Sequence, residues 1–251
     1  MVFSVGRRFL GSWYSCNLDW LIDYVNSLLL GVLLFVLVVI VYLFINAGLV
    51  SMESSYFSKS EVFCGVIPIV ILFLQVYPSF IFLYDFRFLG FKGDVVEIKI
   101  SGHQWFWSYE YGGFGDWLKY DSYLLGLGDL VLGGSRMVEV DERLVVPQGV
   151  DLIFTFYSYD VIHSWSLPVV GIKVDVMPGV FSIYGYNFSG VGVYRGMCSE
   201  FCGVGHRFMP IVVEVVPKDI FYTWVEDRKH MFDITTRLGD WYSNHGVRRF
   251  Y

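Results

Sequence analysis

Two uncharged apolar runs limit what this chain can fold into more than anything else in it. They are LLLGVLLFVLVVIVYLFI, residues 28–45, and VFCGVIPIVILFLQVYPSFIFLY, residues 62–84. A helix needs about 20 apolar residues to cross a hydrocarbon core of ~30 Å. The second run meets that length, and the first meets it with a little tilt or flanking sequence. The competing reading is a pair of buried core helices. It fits less well, because each run is apolar all round and has no polar face to turn to water. Pro68 and Pro78 would kink the second helix, which membrane helices tolerate. The linker 46–61 is short, so the pair reads as an antiparallel hairpin, residues 28–84, with both chain ends on one side. The linker carries Lys59 alone and the flanks slightly more, so the positive-inside tendency leans toward flanks inside. Arg7 and Arg8 precede no apolar core before Asp19 and Asp23, and no small-residue cleavage site follows. Residues 1–27 are therefore read as an N-terminal arm and not as a signal peptide.

The composition agrees. With 55% hydrophobic and 17% charged residues in 251, the chain is too apolar for an ordinary soluble domain. A formal net charge of −6 sets nucleic acid aside as a partner. Four cysteines are too few for a disulfide scaffold. After Tyr84 the pattern changes to short pieces rich in Val, Ile, Tyr and Phe: residues 95–100, 105–112, 143–147, 151–159, 192–198 and 210–216. Glycine-containing turns separate them. This is the signature of an all-β sandwich or barrel, expected over 85–217. The remainder, 218–251, contains FYTWVEDRKHMFDITTRL, which predicts a surface helix. His230 and His245 have no ligand-spaced partners there and read as exposed polar residues.

One stretch of the β-region carries chemistry. CSEFCGVGHRFMP, residues 198–210, spaces its side chains Cys-x3-Cys-x3-His-x2-Met. Three readings are open from spacing. A Cys198–Cys202 disulfide leaves His206 and Met209 without a role. Zinc accepts thiolate and imidazole sets, with His163 of DVIHSW as a fourth ligand, but a thioether is a poor zinc ligand. Copper takes soft sulfur, imidazole and Met together. Two thiolates can bridge two copper ions, with one imidazole for each metal and Met209 plus a backbone carbonyl in the weaker positions. One electron spread over both ions changes each charge by half a unit, so little geometry relaxes on transfer.

At this point the residues resemble a known family, the subunit II chains of haem–copper cytochrome c oxidases. Six motifs carry the resemblance, in family order: Glu61-x6-Pro68, GHQWFWSYEY (102–111), EVDERLVVP (139–147), DVIHSWSLP (160–168), KVDVMPG (173–179) and CSEFCGVGHRFMPIVVEVVP (198–217). With the hairpin they cover most of residues 20–217.

The resemblance implies a two-helix transmembrane hairpin followed by a cupredoxin-like Greek-key barrel. It implies a binuclear copper centre, CuA, held by His163, Cys198, Cys202, His206, Met209 and the main-chain carbonyl of Glu200. The Glu200 carboxylate would contribute to a magnesium site shared with subunit I. Trp105 would lie between docked cytochrome c and the copper, with one of Trp105 and Trp107 left to packing. Glu110, Asp116, Asp141 and Asp160 would help dock a Lys-rich cytochrome c, as charges that steer association more than they add affinity. Glu61 matches the entrance of a proton path through subunit I, beside a plain interfacial role. Electrons would pass to haem a in subunit I, where oxygen is reduced to water with proton pumping, so the enzyme is the complex. Partners implied are subunits I and III, accessory subunits, cytochrome c and membrane lipid. The expected setting is the mitochondrial inner membrane, with both termini and the β-domain in the intermembrane space; a bacterial plasma membrane is the other setting. This reverses the charge-based orientation. A related branch takes quinol and lacks the copper ligands, whereas all five side-chain ligands are present here. The chain departs from the family at Cys64-Gly65, at Tyr159 where an acid is common, in the Gly-rich segment 112–138, and in the extension 218–251.

Overall fold

Residues 13–30 hold neither Gly nor Pro, so helix continues well before the first apolar run begins. The computed structural model, which describes residues 13–46, 58–87, 93–115, 117–126, 128–129 and 136–244, starts helix α1 at Trp13 and ends it at Ile45. Helix α2 spans Ser58–Arg87 with Pro68 and Pro78 inside it. At 33 and 30 residues these helices measure about 50 and 45 Å at ~1.5 Å rise per residue, longer than a bilayer core. None of the apolar window of either helix is buried, which removes the core-helix reading. Tyr24 Oη donates to the Leu74 carbonyl at 3.0 Å, tying α1 to α2. The N-terminal arm expected over 1–27 is thus helical from Trp13 onward. Internal contacts group Cys16–Leu89 as one unit and place everything from Gly90 onward in a second.

The second unit is a two-sheet sandwich. Its strands are β1 (Val95–His103), β2 (Phe106–Tyr111), β3 (Lys119–Ser122), β4 (Leu144–Pro147), β5 (Asp151–Ser158), β6 (His163–Leu167), β7 (Ile172–Val176), β8 (Ser182–Asn187), β9 (Gly192–Cys198) and β10 (Pro210–Val216). One sheet has the order β3-β2-β1-β5-β8 and the other β4-β10-β9-β6-β7. β1 with β5, and β4 with β10, are parallel pairs; the other named pairs are antiparallel. Alternation explains the first sheet. β5 places Leu152, Phe154 and Phe156 inward, and their register sets Ile98 beside Phe154 and Ile100 beside Phe156. Trp165 of the opposite sheet packs on both Phe rings, at 5.7 and 5.6 Å between centroids. Burying each such side chain contributes about 1.5–3 kcal/mol.

All six strand pieces expected from sequence are present, and β3, β6, β7 and β8 are additional. The helix expected at the C-terminus is α3, Lys218–Asn244. It is a surface helix only in its later turns. Phe221 is fully buried, and Trp224 packs between Tyr111 and the Arg228 guanidinium. Arg228 forms a two-pronged pair with Glu142 and lies over the Tyr120 ring. The first three turns of α3 therefore complete the core of the β-unit and are not a detached extension.

Candidate metal centre

The candidate ligands come together because two hydrogen-bonded strands end side by side. β6 starts at His163 and β9 ends at Cys198, with Trp165 opposite Cys198 in register. The loop 199–209 then folds back. Ser199 N–H donates to the Ser164 carbonyl at 2.9 Å, and Cys198 N–H donates to the Met209 carbonyl at 3.1 Å. A 3-10 turn, His206–Phe208, shortens the return. Cys198, Cys202 and His206 are thereby brought beside a histidine from 35 residues earlier, with the Met209 backbone against Cys198.

Cys198 Sγ and Cys202 Sγ lie 3.9 Å apart. His163 Nδ1 is 4.0 Å from Cys198 Sγ, and His206 Nδ1 is 3.5 Å from Cys202 Sγ. The Glu200 carbonyl is 3.4 Å from Cys198 Sγ. Donor atoms of His163, Cys198 and Cys202 all fall within 4.8 Å of one another, and these three residues are buried. Met209 is fully buried at the foot of the loop. Both thiols are free, and a 3.9 Å separation is far beyond a disulfide's ~2.05 Å bond. Two metal–thiolate bonds of about 2.3 Å around one ion span about that separation at a tetrahedral angle.

The electrostatics call for a cation. Burial opposes ionisation of Cys198, but its hydrogen bond with His163 and backbone donors outweigh burial and hold its thiol below the usual range. Cys202 is pushed up by burial and by the neighbouring Cys198. One thiolate is thus provided for and the second is resisted by the first. Like charges about 4 Å apart repel by ~4 kcal/mol at an effective dielectric of 20. A metal between the sulfurs removes that repulsion, so the donor set fits one.

Asp160 fixes the imidazole. Its Oδ1 pairs with His163 Nε2 at 2.8 Å and accepts from Val161 N–H at 2.6 Å, while Oδ2 accepts from Gln104 N–H at 2.6 Å. Occupying Nε2 leaves Nδ1 for the thiolate side, the usual way an outer carboxylate selects a histidine donor atom. These contacts, stronger than the burial that opposes them, hold the Asp160 carboxyl below the usual range.

Trp105 covers the loop. Its Nε1 donates to the Cys202 carbonyl at 3.2 Å, beside Gln104 Nε2 at 2.8 Å. The close fit needs glycine. A Cβ at Gly205 would sit 2.2 Å from Trp105 Cδ2, and one at Gly203, where φ is +116°, 3.3 Å from Cζ2. Trp107 is fully buried and meets His163 edge-on at 5.9 Å.

The other sequence candidates lie elsewhere. The Glu200 side chain is exposed. Glu61 is exposed in the first turn of α2. Glu110 is bound by Lys99 at 2.6 Å and Lys119 at 3.6 Å. Asp141 is exposed, and its Oδ1 accepts from Tyr123 N–H at 2.8 Å and Glu142 N–H at 2.7 Å. Asp116 lies outside the described residues. Sequence reasoning missed Gln104 and the glycine pair. The Gly-Val-Gly spelling of 203–205 was the available signal; Gln104 had none beyond standing next to Trp105.

The match to known proteins follows this geometry. A family model described as "Cytochrome C oxidase subunit II, periplasmic domain" matches residues 96–216. Cytochrome c oxidase subunit 2 of Ascaris suum is 41% identical over 216 residues, covering 86% of this chain and 92% of the relative. The chain belongs to the cytochrome c oxidase subunit II family. The Caenorhabditis elegans subunit 2 is 39% identical over 216 residues, with 86% and 93% covered. The periplasmic domain of subunit II of the Bradyrhizobium japonicum cytochrome oxidase superposes with a TM-score of 0.51 at 37% identity, over 56% of this chain and 97% of that one. The fold is accordingly cupredoxin-like, and this subunit II chain is a membrane-anchored part of an oxidoreductase complex, carried on two apolar helices. The end of β9, the start of β6 and the loop between β9 and β10 bring together the His163, Cys198 and Cys202 group that could bind copper.

Proposed function

We propose that this chain is the electron-entry subunit of its oxidase, with a binuclear CuA centre held by His163, Cys198, Cys202, His206, Met209 and the Glu200 carbonyl. The observation that carries this is the reduced Cys198–Cys202 pair at 3.9 Å, flanked by one Nδ1 on each side, in a subunit II chain. Bound there, copper supplies a one-electron couple that relaxes little on transfer. The protein supplies the rest. Asp160 and the strand pair hold His163, the glycine loop holds Cys202 against Trp105, and both cysteines are buried away from water.

Trp105 is the entry point from cytochrome c, since its indole N–H touches the carbonyl of a ligand residue. The exposed Glu200 carboxylate would contribute to a magnesium site shared with subunit I, and electrons would leave toward haem a there. Oxygen reduction and proton pumping belong to the complex, with Glu61 at a proton-path entrance. The animal mitochondrial relatives support an inner-membrane setting, with the β-unit and both termini in the intermembrane space. Subunits I and III, accessory subunits and lipid are the remaining partners.

The test is metal content and electron paramagnetic resonance on the purified chain loaded with copper. Two coppers per chain, with hyperfine structure from one electron shared by two equivalent nuclei, is the expected result. A single-copper pattern, or preference for zinc over copper, would overturn the assignment.

A further inference from the structure

β1 holds a glycine that neither its strand nor its backbone angle asks for. Gly102 is the last residue but one of β1 and pairs on both sides, with Trp107 of β2 and with Ser158 of β5. A glycine inside a strand weakens it and adds no side chain to the packing. Its φ lies outside the left-handed region that Gly93, Gly113 and Gly149 occupy, so the chain path alone would accept alanine.

The reason stands in the opposite sheet. A Cβ at Gly102 would lie 2.7 Å from His163 Cδ2, 3.0 Å from its Cγ and 3.3 Å from its Cβ. The imidazole therefore rests on the bare backbone of β1. Neighbouring strands supply the other walls. On one side of Gly102, Trp107 meets the ring edge-on at 5.9 Å. On the other side, Ser158 donates to the Val161 carbonyl and approaches Asp160 Oδ1 at 3.3 Å, steadying the turn whose Asp160 holds Nε2. Tyr159 N–H in that turn donates to the Gly102 carbonyl at 3.3 Å. His206 has no such support. It opens the 3-10 turn and is half-buried, and its ring is met at 5.9 Å by the exposed Phe201. Among the described residues no outer hydrogen bond fixes its Nε2.

We infer that Gly102 is a positioning residue for the metal centre. The gap it leaves in β1 sets the tilt at which His163 presents Nδ1 to the thiols, before any metal arrives. This rests on the copper reading of the site. An added methyl group would have to push the ring by about 0.8 Å to reach the ~3.5 Å at which carbon atoms meet comfortably. Trp107 and Asp160 close the other directions, so the ring gives up its Nε2 bond or turns Nδ1 away from Cys198. The disturbance reaches one metal of the pair, because His206 serves the other.

The experiment compares Gly102→Ala with Gly112→Ala in the purified chain. Gly112 is the matched control: its added Cβ would lie 2.9 Å from Glu97 Cβ, at the end of the β1–β2 pair remote from His163. Copper content and paramagnetic resonance are recorded on both, with copper affinity read against a chelator. Gly102→Ala should still take two coppers at saturation, but with hyperfine structure from two inequivalent nuclei and an affinity about tenfold lower or more, as loss of outer support for a ligand gives. Gly112→Ala should keep the pattern and affinity of the unaltered chain. The proposal is overturned if Gly102→Ala matches the unaltered chain, or if both variants shift alike, since general strain would then be the cause. A second measurement needs neither variant nor metal. In the metal-free, unaltered chain a nuclear Overhauser contact should join Gly102 Hα to His163 Hδ2, and its absence would overturn the seat whatever copper does. That contact in a chain that binds no copper pair would refute the copper reading while supporting the seat.

Discussion

Replacing Asp160 by Ala removes four hydrogen-bond contacts of one side chain, the longest a 3.3 Å approach of the Ser158 hydroxyl to Oδ1. Two of them go to backbone N–H groups, Gln104 at 2.6 Å and Val161 at 2.6 Å, and one goes to His163 Nε2 at 2.8 Å. A hydrogen bond to a charged group is worth about 1.5–3 kcal/mol, and Asp160 keeps 29% side-chain exposure, so water replaces part of each. A total loss of about 2–4 kcal/mol in stability follows, below the ~4.5 kcal/mol that three fully buried bonds of ~1.5 kcal/mol each would give. The effect on metal is separate. With Nε2 released, the imidazole can turn and present either nitrogen, and loss of such an orienting carboxylate costs 10- to 100-fold in metal affinity. Asp160→Asn divides the two effects. It keeps one acceptor oxygen, so either Gln104 N–H or the Val161–His163 side faces an amide NH2. Copper competition against a chelator, alongside thermal unfolding of the metal-free chain, separates affinity from stability. Unchanged copper affinity in the Ala variant would refute the claim that Asp160 positions His163.

Three further outcomes follow from the contacts. Gly205→Ala forces the Trp105 indole off the loop, because the added Cβ would stand 2.2 Å from Cδ2; copper content should hold while the rate of reduction by cytochrome c falls about tenfold or more, as one ~1.4 kcal/mol step in barrier gives. Glu139 is held below the usual carboxylate range: burial raises it, but Arg195 and Arg143 outweigh that. Its contribution to stability is present above the unfolded value of 4.5 and is lost as pH falls through its lower folded value, so acid unfolding of the metal-free chain should flatten in that window in Glu139→Gln. Phe221→Ala should cost about 3–5 kcal/mol in denaturant unfolding, and a neutral result would show that α3 is not part of the core.

The metal loop shows how far the spelling reached. Cys198, Cys202, His206 and Met209 were legible because their offsets fall within twelve residues. Their partner His163 was legible only through the motif around it, since nothing in local spacing points across 35 residues. Strands with alternating or β-branched pieces, such as DLIFTFYS, announced themselves. β6, HSWSL, did not: its five residues are all buried, including three polar ones, so it has no solvent-facing side to set a rhythm. β8, SIYGYN, is interrupted by Gly185 and holds its place through pairing with β5. The two apolar helices were legible because length and hydrophobicity decide membrane spanning with no help from neighbours.

Charge roles were the part that sequence could not assign. Glu110 and Asp160 read as docking acids from motif position, and only the fold shows that Lys99, Lys119, His163 and Gln104 bind them. Phe221 and Arg228 read as parts of a surface helix, yet one fills the core and the other clamps Glu142. The physical reason is common to both cases. Apolar length, alternation and close ligand spacing are properties of the chain itself and survive any tertiary arrangement. What a charge is paired with, which ring stacks on which, and which carboxylate faces a histidine depend on residues tens of positions away, brought near only when the two sheets close.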